Sequence, residues 1–298
     1  MESLHSFFQK WKKRNKSRLE DYRFMLHLFR KNSLAMTGLI FLMVIIVIGI
    51  SADFISIYDP AKINMADATQ PPSWKHLFGT DWLGRDIFSR MVYGARISIY
   101  LIAVIITARY AISISIGVLA GYFRGAIDEV LMRITDIFLA FPSIILAMAL
   151  AVAMGPGLTS VIVAITVTGW PWAARLVRSQ VIAVRDQDYI EATRSLGAGN
   201  LRIILYHIIP NSLGPILVQA TVSVGWIVLT AASMGFLGVG ATPPTPEWGL
   251  MVANGRIYFF TAPWISLFPG LAILLTVVGA NLLGDGLRDV MDPRLRRR

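Results

Sequence analysis

The sequence predicts an all-α polytopic membrane protein with six transmembrane helices, for two reasons. The composition is too apolar for a soluble domain, since 55% of the 298 residues are hydrophobic and 15% are charged, against about 25% charged in soluble proteins. Apolar runs of about twenty residues also recur along the chain, and that length spans a bilayer as a helix. The predicted spans are 33–52, 97–121, 131–154, 158–174, 213–239 and 264–283.

The distribution of positive charge predicts the orientation of these spans. Lysine and arginine concentrate before the first span, whereas Asp53 and Asp59 follow it. Because cytoplasmic loops of membrane proteins are enriched in Lys and Arg, both termini are predicted to be cytoplasmic. The chain then divides into a basic amphipathic segment (1–32), a first transmembrane helix (33–52), an external loop (53–96), a five-helix core (97–284) with a cytoplasmic loop at 185–212, and a basic cytoplasmic tail (285–298).

The first segment interleaves basic residues with aromatic ones, such as Trp11 beside Lys12. This pattern predicts a helix lying on the anionic lipid of the cytoplasmic leaflet. A net charge of +10 would suggest nucleic acid in a soluble protein. Here it is mostly an orientation signal, so no nucleic-acid partner is expected.

Turn and kink signals join the middle spans. Residues 122–133 predict a short cytoplasmic loop. In the third span, Pro142 predicts a kink whose freed carbonyl is satisfied by Ser143 or by a neighbouring helix. The Trp-Pro-Trp sequence at 170–172 predicts an aromatic belt at the membrane interface.

Four residues are candidates for a translocation pathway. Arg109 lies near the middle of the second span, where a charge costs about 2.5–3.5 kcal/mol on insertion scales. It should face a partner subunit, a water-filled path or an acid, and Asp136 is the nearest intramembrane acid in sequence. A role in solute contact or gating and a structural ion pair are both open. In the fifth span, Ser233 and Met234 are candidates for solute contact, although packing alone explains most of its small residues.

The polar segment before the fifth span predicts two short helices on the cytoplasmic side. Asp188 can cap a helix that begins at Tyr189, because its carboxylate accepts free backbone N–H groups of the first turn. Gly197 follows where a left-handed C-cap is needed. Asn200 can begin a second helix, and Pro210 is predicted to end it.

The same segment resembles the EAA loop of ABC-importer permeases. Glu-Ala-Thr at 191–193 is followed after three residues by Gly197 and after nine more by His-Ile-Ile-Pro at 207–210. The family pattern is Glu-Ala-Ala, three residues, Gly, nine residues, Ile, one residue and Leu-Pro, so Thr193, His207 and Ile209 depart from it. The His-Ile-Ile-Pro variant resembles the dipeptide/oligopeptide/nickel branch. An ordinary amphipathic helix-turn-helix is the alternative interpretation.

Three further strings resemble the smaller permease subunit of that branch: HLFGTDWLGRDIFSRMVYGARISI at 76–99, GFLGVGATPPTPEWGLMVANGR at 235–256, and the tail NLLGDGLRDVMDPRLRRR. Taken alone, the charges of 76–99 predict only a salt-bridged external turn and helix. The resemblance implies a type I ABC importer permease fold in a prokaryotic inner membrane. It also implies a homologous permease partner, two cytoplasmic ATPase subunits and an extracytoplasmic solute-binding protein. Peptides are the first solute class implied, with oligosaccharides or nickel as alternatives.

In such permeases the EAA loop forms coupling helices that sit in a groove of the ATPase. By resemblance, Glu191 would make polar contacts in that groove, and Gly197 would supply a permissive turn. The residues assigned to ATPase coupling in this way are Tyr189, Glu191, Ala192, Thr193, Arg194, Ser195, Leu196 and Gly197.

The sequence contains none of the common catalytic motifs. There is no Gly-x-x-x-x-Gly-Lys-[Ser/Thr] string, no His-Glu-x-x-His and no Gly-x-Ser-x-Gly. Cysteine is absent and the four histidines are scattered. We therefore expect no enzyme activity, cofactor or metal site in this chain, with ATP hydrolysis left to partner subunits. An ion-coupled secondary transporter is the rival class, although such a carrier has no need of a capped cytoplasmic helix pair.

Overall fold

The computed structural model of the chain describes residues 16–291, and its regular elements there are helices apart from one isolated β-bridge. The predicted all-α fold is confirmed. The first part of the predicted membrane-surface segment, 1–15, and the end of the basic tail, 292–298, lie outside the described residues. The helices are α1 (Lys16–Lys31), α2 (Ser33–Ile50), α3 (Ala52–Ile55), α4 (Ile87–Phe123), α5 (Gly125–Leu139), α6 (Ser143–Met154), α7 (Leu158–Arg185), α8 (Asp188–Ser195), α9 (Asn200–Ile203), α10 (Ile209–Phe236), α11 (Trp248–Gly255) and α12 (Trp264–Met291).

Five helical stretches in the described part of the chain are long and apolar enough to cross a membrane. Helices α5 and α6 make a sixth span if the bent pair counts as one. The bend between them is 84°, so the kink predicted at Pro142 is a sharp break. Pro142 has no backbone N–H to donate to the carbonyl of Phe138. That carbonyl instead accepts the backbone N–H of Phe141 at 3.4 Å. That local bond replaces the predicted one from Ser143.

Helix α4 begins well before the predicted second span, so the last part of the predicted external loop is helical. Asp86 starts the helix, because its carboxylate accepts the backbone N–H of Ser89 at 2.8 Å. The charged side chains beyond the cap do not end the helix, since they are bonded to neighbouring elements. The guanidinium of Arg96, for example, pairs with the carboxylate of Asp53 at 2.9 Å.

The predicted cytoplasmic loop at 122–133 is also helical. Helix α4 continues to Phe123, Arg124 turns the chain with a φ of 55°, and α5 begins at the next residue. Gly125 has a φ of 60°, which glycine adopts without steric cost. Two consecutive residues with positive φ therefore make the turn between α4 and α5, in place of the predicted loop.

Helix α7 extends beyond the fourth span predicted at 158–174 and carries Pro171 inside it. The two tryptophans of the predicted aromatic belt differ in exposure. Trp170 is buried and its ring packs edge-on against Phe138 at a centroid distance of 5.5 Å. Only Trp172 of the two tryptophans is exposed.

Pro210 does not end a helix, so that prediction is wrong. Residues 200–236 form a continuous helical stretch in which a π-helical turn, Ile204–Ile208, joins α9 to α10. In that turn the backbone N–H of Ile209 donates to the carbonyl of Ile204, five residues earlier. The hydrogen-bond ladder is therefore already shifted where Pro210 lacks an N–H, and the helix continues.

The core lies where α4 packs on α7 and where α10 packs on α12. Close approach of α4 and α7 requires a glycine, since a Cβ at Gly117 would lie 2.6 Å from the Cβ of Val177. Helix α2 packs on α12, and only small residues of α2 are fully buried. Its buried residues are Ala35, Gly38 and Gly49.

Candidate coupling segment and translocation cavity

The predicted coupling residues lie on α8 and the turn after it. Helix α8 begins at Asp188, one position earlier than predicted, and the side chain of Gln187 at the N-cap does not cap the helix but donates to the carbonyl of Ala183 at 3.2 Å. Asp188 still lies in the first turn, where a negative charge is favourable. Ile190, 1% exposed, anchors α8 in a buried apolar cluster. The predicted coupling residues are exposed or half-buried: Tyr189, Glu191, Ala192, Thr193, Arg194, Ser195, Leu196 and Gly197.

A Schellman motif ends α8 at the predicted glycine. Gly197 has a φ of 84°, and its backbone N–H donates to the carbonyl of Arg194 at 2.9 Å. The backbone N–H of Ala198 reaches back to the carbonyl of Thr193 at 3.3 Å. The predicted left-handed C-cap is confirmed. Because this φ strains any residue with a Cβ, glycine fixes the direction in which the chain leaves the helix.

The coupling segment is tied to the end of α4. The hydroxyl of Tyr122 donates to the Asn200 side-chain oxygen at 2.8 Å. The guanidinium groups of Arg185 and Arg194 lie 5.9 Å and 6.0 Å from the centroid of the Tyr122 ring. Tyr122 is itself buried. These contacts connect the segment 185–200 to the end of α4.

A cavity of about 620 Å³ lies between α4, α6, α7 and α10. It is partly open, and no acidic residue is among those that line it. Sequence reasoning identified only Arg109 in this cavity. The other lining residues are separated in sequence and no single motif contains them. Its polar and aromatic lining consists of Arg109, Ser143, Thr168, Trp172, Arg175, Gln219, Ser223 and Trp226.

Arg109 and Asp136 do not form the ion pair considered from the sequence. Asp136 pairs instead with Arg175, at 2.5 Å. Arg109 is 5% exposed, and its Nε and Nη1 atoms have no hydrogen-bond partner among the described residues. Its guanidinium lies 5.5 Å from the centroid of the Trp226 ring. The Arg109 side chain also packs closely on Gly169, since a Cβ added to Gly169 would lie 3.0 Å from the Arg109 Nε atom.

Ser233 and Met234, the other two predicted pathway residues, do not line this cavity. Met234 is 0% exposed and belongs to the apolar core, so solute contact in this conformation is excluded. The hydroxyl of Ser233 donates to the carbonyl of Leu229 at 2.7 Å, within its own helix. The structure therefore brings Arg109 to a cavity and leaves Ser233 and Met234 in the helix packing.

Comparisons with known proteins agree with this architecture. Residues 113–297 match the family model described as binding-protein-dependent transport system inner membrane component. The chain belongs to this family. Residues 23–72 match the N-terminal transmembrane domain of oligopeptide transport permease C. The resemblance proposed from the EAA-like loop is thereby confirmed, and the chain is a multi-pass permease of the inner membrane.

Curated relatives of this permease are peptide-transport permeases. The dipeptide transport system permease DppC of Alkalihalophilus pseudofirmus is 46% identical over 267 residues, covering 90% of this chain and 88% of the relative. The oligopeptide permease OppC of Bacillus subtilis is 42% identical over 269 residues, covering 90% and 88%. The di/tripeptide permease DppC of Pseudomonas aeruginosa is 41% identical over 274 residues, covering 90% of each.

A solved structure supports the fold of the permease. A chain of the MetNI methionine ABC transporter, in an inward-facing conformation, matches with a TM-score of 0.56 at 24% identity. The match covers 69% of this permease and 98% of that chain.

Charged residues before and at the start of α4 form a buried brace, and the salt-bridged turn and helix predicted for 76–99 are present. The carboxylate of Asp81 accepts the backbone N–H groups of Leu83 at 2.9 Å and Arg85 at 3.0 Å. Its second oxygen accepts the Nε–H of Arg85 at 2.7 Å. Arg90 donates to the carbonyl of Pro60 at 2.8 Å. These bonds link residues 60–85 to the start of α4.

Glu247 caps α11 from a buried position outside the membrane-spanning helices. Its carboxylate accepts the backbone N–H groups of Gly249 at 2.8 Å and Leu250 at 2.7 Å. Burial raises the pKa of Glu247 to about 7, although the two backbone hydrogen bonds act in the opposite direction. Sequence reasoning missed this residue, because its burial depends on the ends of α10 and α11 meeting.

Proposed function

We propose that this chain is one permease subunit of an ATP-driven importer of di- and oligopeptides, and that α8 docks on a cytoplasmic ATPase. The coupling segment carries the proposal. Most of its side chains are exposed, whereas one buried residue, Ile190, holds the helix in place. Leu196, for example, is 88% exposed. An apolar side chain in this position gains contacts only from a partner.

The complete importer would contain a homologous permease, two ATPase subunits and a solute-binding protein. Closure of the ATPase dimer on ATP would displace α8, and Tyr122 would transmit the displacement to α4. Because Arg109 lies on the same helix, the cavity would change with it. Transport then follows from a ligand-biased equilibrium between inward- and outward-open states, and this chain hydrolyses no ATP. The curated relatives named above favour peptides as the solute.

The deciding experiment compares Gly197→Val with Gly199→Val in the reconstituted complex. Valine at Gly197 would have to adopt a left-handed φ of 84°, which costs about 1–2 kcal/mol. Gly199 is the matched control, since its φ of −69° suits valine and no atom lies within 4 Å of its added Cβ. We expect Gly197→Val to abolish ATPase stimulation by peptide-loaded binding protein and Gly199→Val to retain it. Equal activity in both variants would refute the assignment of α8.

Uptake by the unmodified complex tests the solute and the energy source. ATP-dependent uptake of a labelled dipeptide supports the proposal, and uptake of oligosaccharide or nickel alone would reassign the solute. Uptake that follows an ion gradient without ATP would indicate a secondary transporter instead.

The orientation is testable by chemical labelling, because the chain contains no cysteine. Leu196→Cys and Trp74→Cys place single thiols at positions that are 88% and 97% exposed. We expect a membrane-impermeant maleimide to label Trp74→Cys in intact cells, and Leu196→Cys only after permeabilisation. The reverse pattern would put α8 outside and end the coupling proposal.

A further inference from the structure

We propose that Arg109 binds a carboxylate of the transported solute, which for a peptide is its C-terminal carboxylate. The inference rests on the proposed function for the identity of the solute, but the chemistry comes from the cavity itself. Arg109 lies at the wall of the cavity, and only 5% of its surface is exposed. Two of its nitrogens lack a hydrogen-bond partner among the described residues. A buried guanidinium left without an anion is costly.

The charges around the cavity leave this site open for an anion. The other lining arginine, Arg175, is neutralised by Asp136. Arg109 has aromatic neighbours instead, with its guanidinium 5.8 Å from the Tyr110 ring centroid and 5.5 Å from that of Trp226. Rings partly compensate the charge but accept no planar pair of hydrogen bonds. A carboxylate does, since its two oxygens match the guanidinium fork.

Two features of the lining suit a peptide bound through its carboxylate. The side-chain amide of Gln219 lines the cavity and makes no hydrogen bond within residues 24–291, so it is free to bond a peptide group. Gly169 gives the Arg109 guanidinium its space, because a Cβ there would lie 3.0 Å from Nε and 3.1 Å from Cζ. The cavity of about 620 Å³ is within the size range of small-ligand sites.

The test compares alanyl-alanine with its C-terminal amide. Radiolabelled alanyl-alanine would be bound to the purified complex of both permeases and ATPases, without binding protein, and displaced by each unlabelled compound. We expect the unmodified complex to prefer the acid by about tenfold or more, as charge-assisted hydrogen bonds predict. Arg109→Met should reduce this ratio to about one, and Arg109→Lys should retain part of it. Arg256→Met, which removes an exposed arginine outside the cavity, should leave the ratio unchanged.

A purely structural arginine would change stability but not the acid-to-amide ratio. An unaltered ratio in Arg109→Met, or no preference in the unmodified complex, overturns the inference. If Arg109→Met does not fold, Arg109→Gln provides the same test, since it removes the charge and the guanidinium fork but keeps a polar side chain. Arg109→Gln should then lower the ratio, and an unchanged ratio would equally overturn the inference.

Uptake measurements separate this inference from the proposed function. If the unmodified complex binds the acid through Arg109 but takes up no dipeptide, the carboxylate site stands and the peptide assignment fails. If dipeptide uptake is normal but Arg109→Met keeps the acid preference, the importer proposal stands and the carboxylate site fails.

Discussion

The buried brace and the coupling segment are both rich in charge, but their charged groups have opposite surroundings. In the brace, Asp81 and Arg85 are buried and bonded to each other and to the backbone. On α8, Glu191 is exposed, and its side chain makes no hydrogen bond to another described residue. Charges that are paired within the chain fix its own structure. Charges left exposed and unpaired on a rigidly anchored helix are available to a partner.

Arg109 combines properties of both regions. Arg109 is as buried as the brace arginines. Like that of Glu191, however, its side chain has no hydrogen-bonded partner among the described residues. Arg109 therefore resembles neither the brace, whose buried charges are paired, nor α8, whose unpaired charge is exposed. Four substitutions sharpen or break this comparison, in decreasing order of their effect on stability.

The largest effect is expected for Asp81→Asn in the brace. The substitution leaves Arg85 buried without its ion-pair partner, which costs about 3–5 kcal/mol. The thermal unfolding midpoint of the purified complex should fall sharply, or folded protein should be lost. Asp53→Asn is the control, because its pair with Arg96 is solvent-exposed and such pairs contribute little. Equal effects of both variants would mean that burial of the brace does not matter.

The second prediction concerns the pH dependence that Glu247 confers. Its pKa is raised to about 7, above the usual value of about 4.3, so between these values the folded protein binds more protons than the unfolded chain. Stability should therefore fall as pH rises through this window, by an amount on the order of 3 kcal/mol. Thermal unfolding from pH 5 to 8 would measure it.

Glu247→Gln should remove that part of the pH dependence while leaving the contributions of other groups. Gln cannot accept both backbone N–H groups with a carboxylate's geometry, so only the slope with pH is diagnostic and not the midpoint at one pH. If the variant and the unmodified protein have the same slope, the carboxyl group titrates normally.

The sequence predicted what apolar runs and local turn chemistry determine. The spans, the sharp break at Pro142 and the left-handed Gly197 all depend on residues close in sequence. It failed where distant contacts override local signals. Helix α4 begins ten residues before the predicted span, at a cap that Asp86 forms beside the buried pair of Asp81 and Arg85, and the stop expected at Pro210 is absorbed by a π-helical turn.

The cavity was only partly predictable for the same reason. Arg109 was identified because a charge in an apolar run is conspicuous in any sequence. Its surroundings were not, since Trp226 and Gly169 reach it from other helices. The nearest acid in sequence, Asp136, proved to belong to Arg175. Proximity in sequence is a poor guide to partners between spans.

The third prediction tests the anchor of the coupling segment. Ile190→Val removes one buried methyl group beneath α8 and should lower the free energy of unfolding by about 1 kcal/mol. It should also weaken ATPase stimulation partially, because α8 is held less firmly. Ile257→Val, at a position 77% exposed, controls for the substitution itself. No change in either measurement would contradict the anchoring of α8 by Ile190.

Leu196→Ala is expected to have the smallest effect on stability but a large effect on ATPase binding. Leu196→Ala truncates a side chain that is 88% exposed, so the unfolding midpoint should not change. If Leu196 contacts an ATPase, truncation should cost about 1–2 kcal/mol of binding free energy, or roughly tenfold in affinity. Co-purification of the ATPases measures this, with Phe260→Ala, 97% exposed in the connection between α11 and α12, as the control. Full retention of the ATPases by Leu196→Ala would show that exposure on α8 does not mark a docking surface, and the contrast with the brace would then lose its functional meaning.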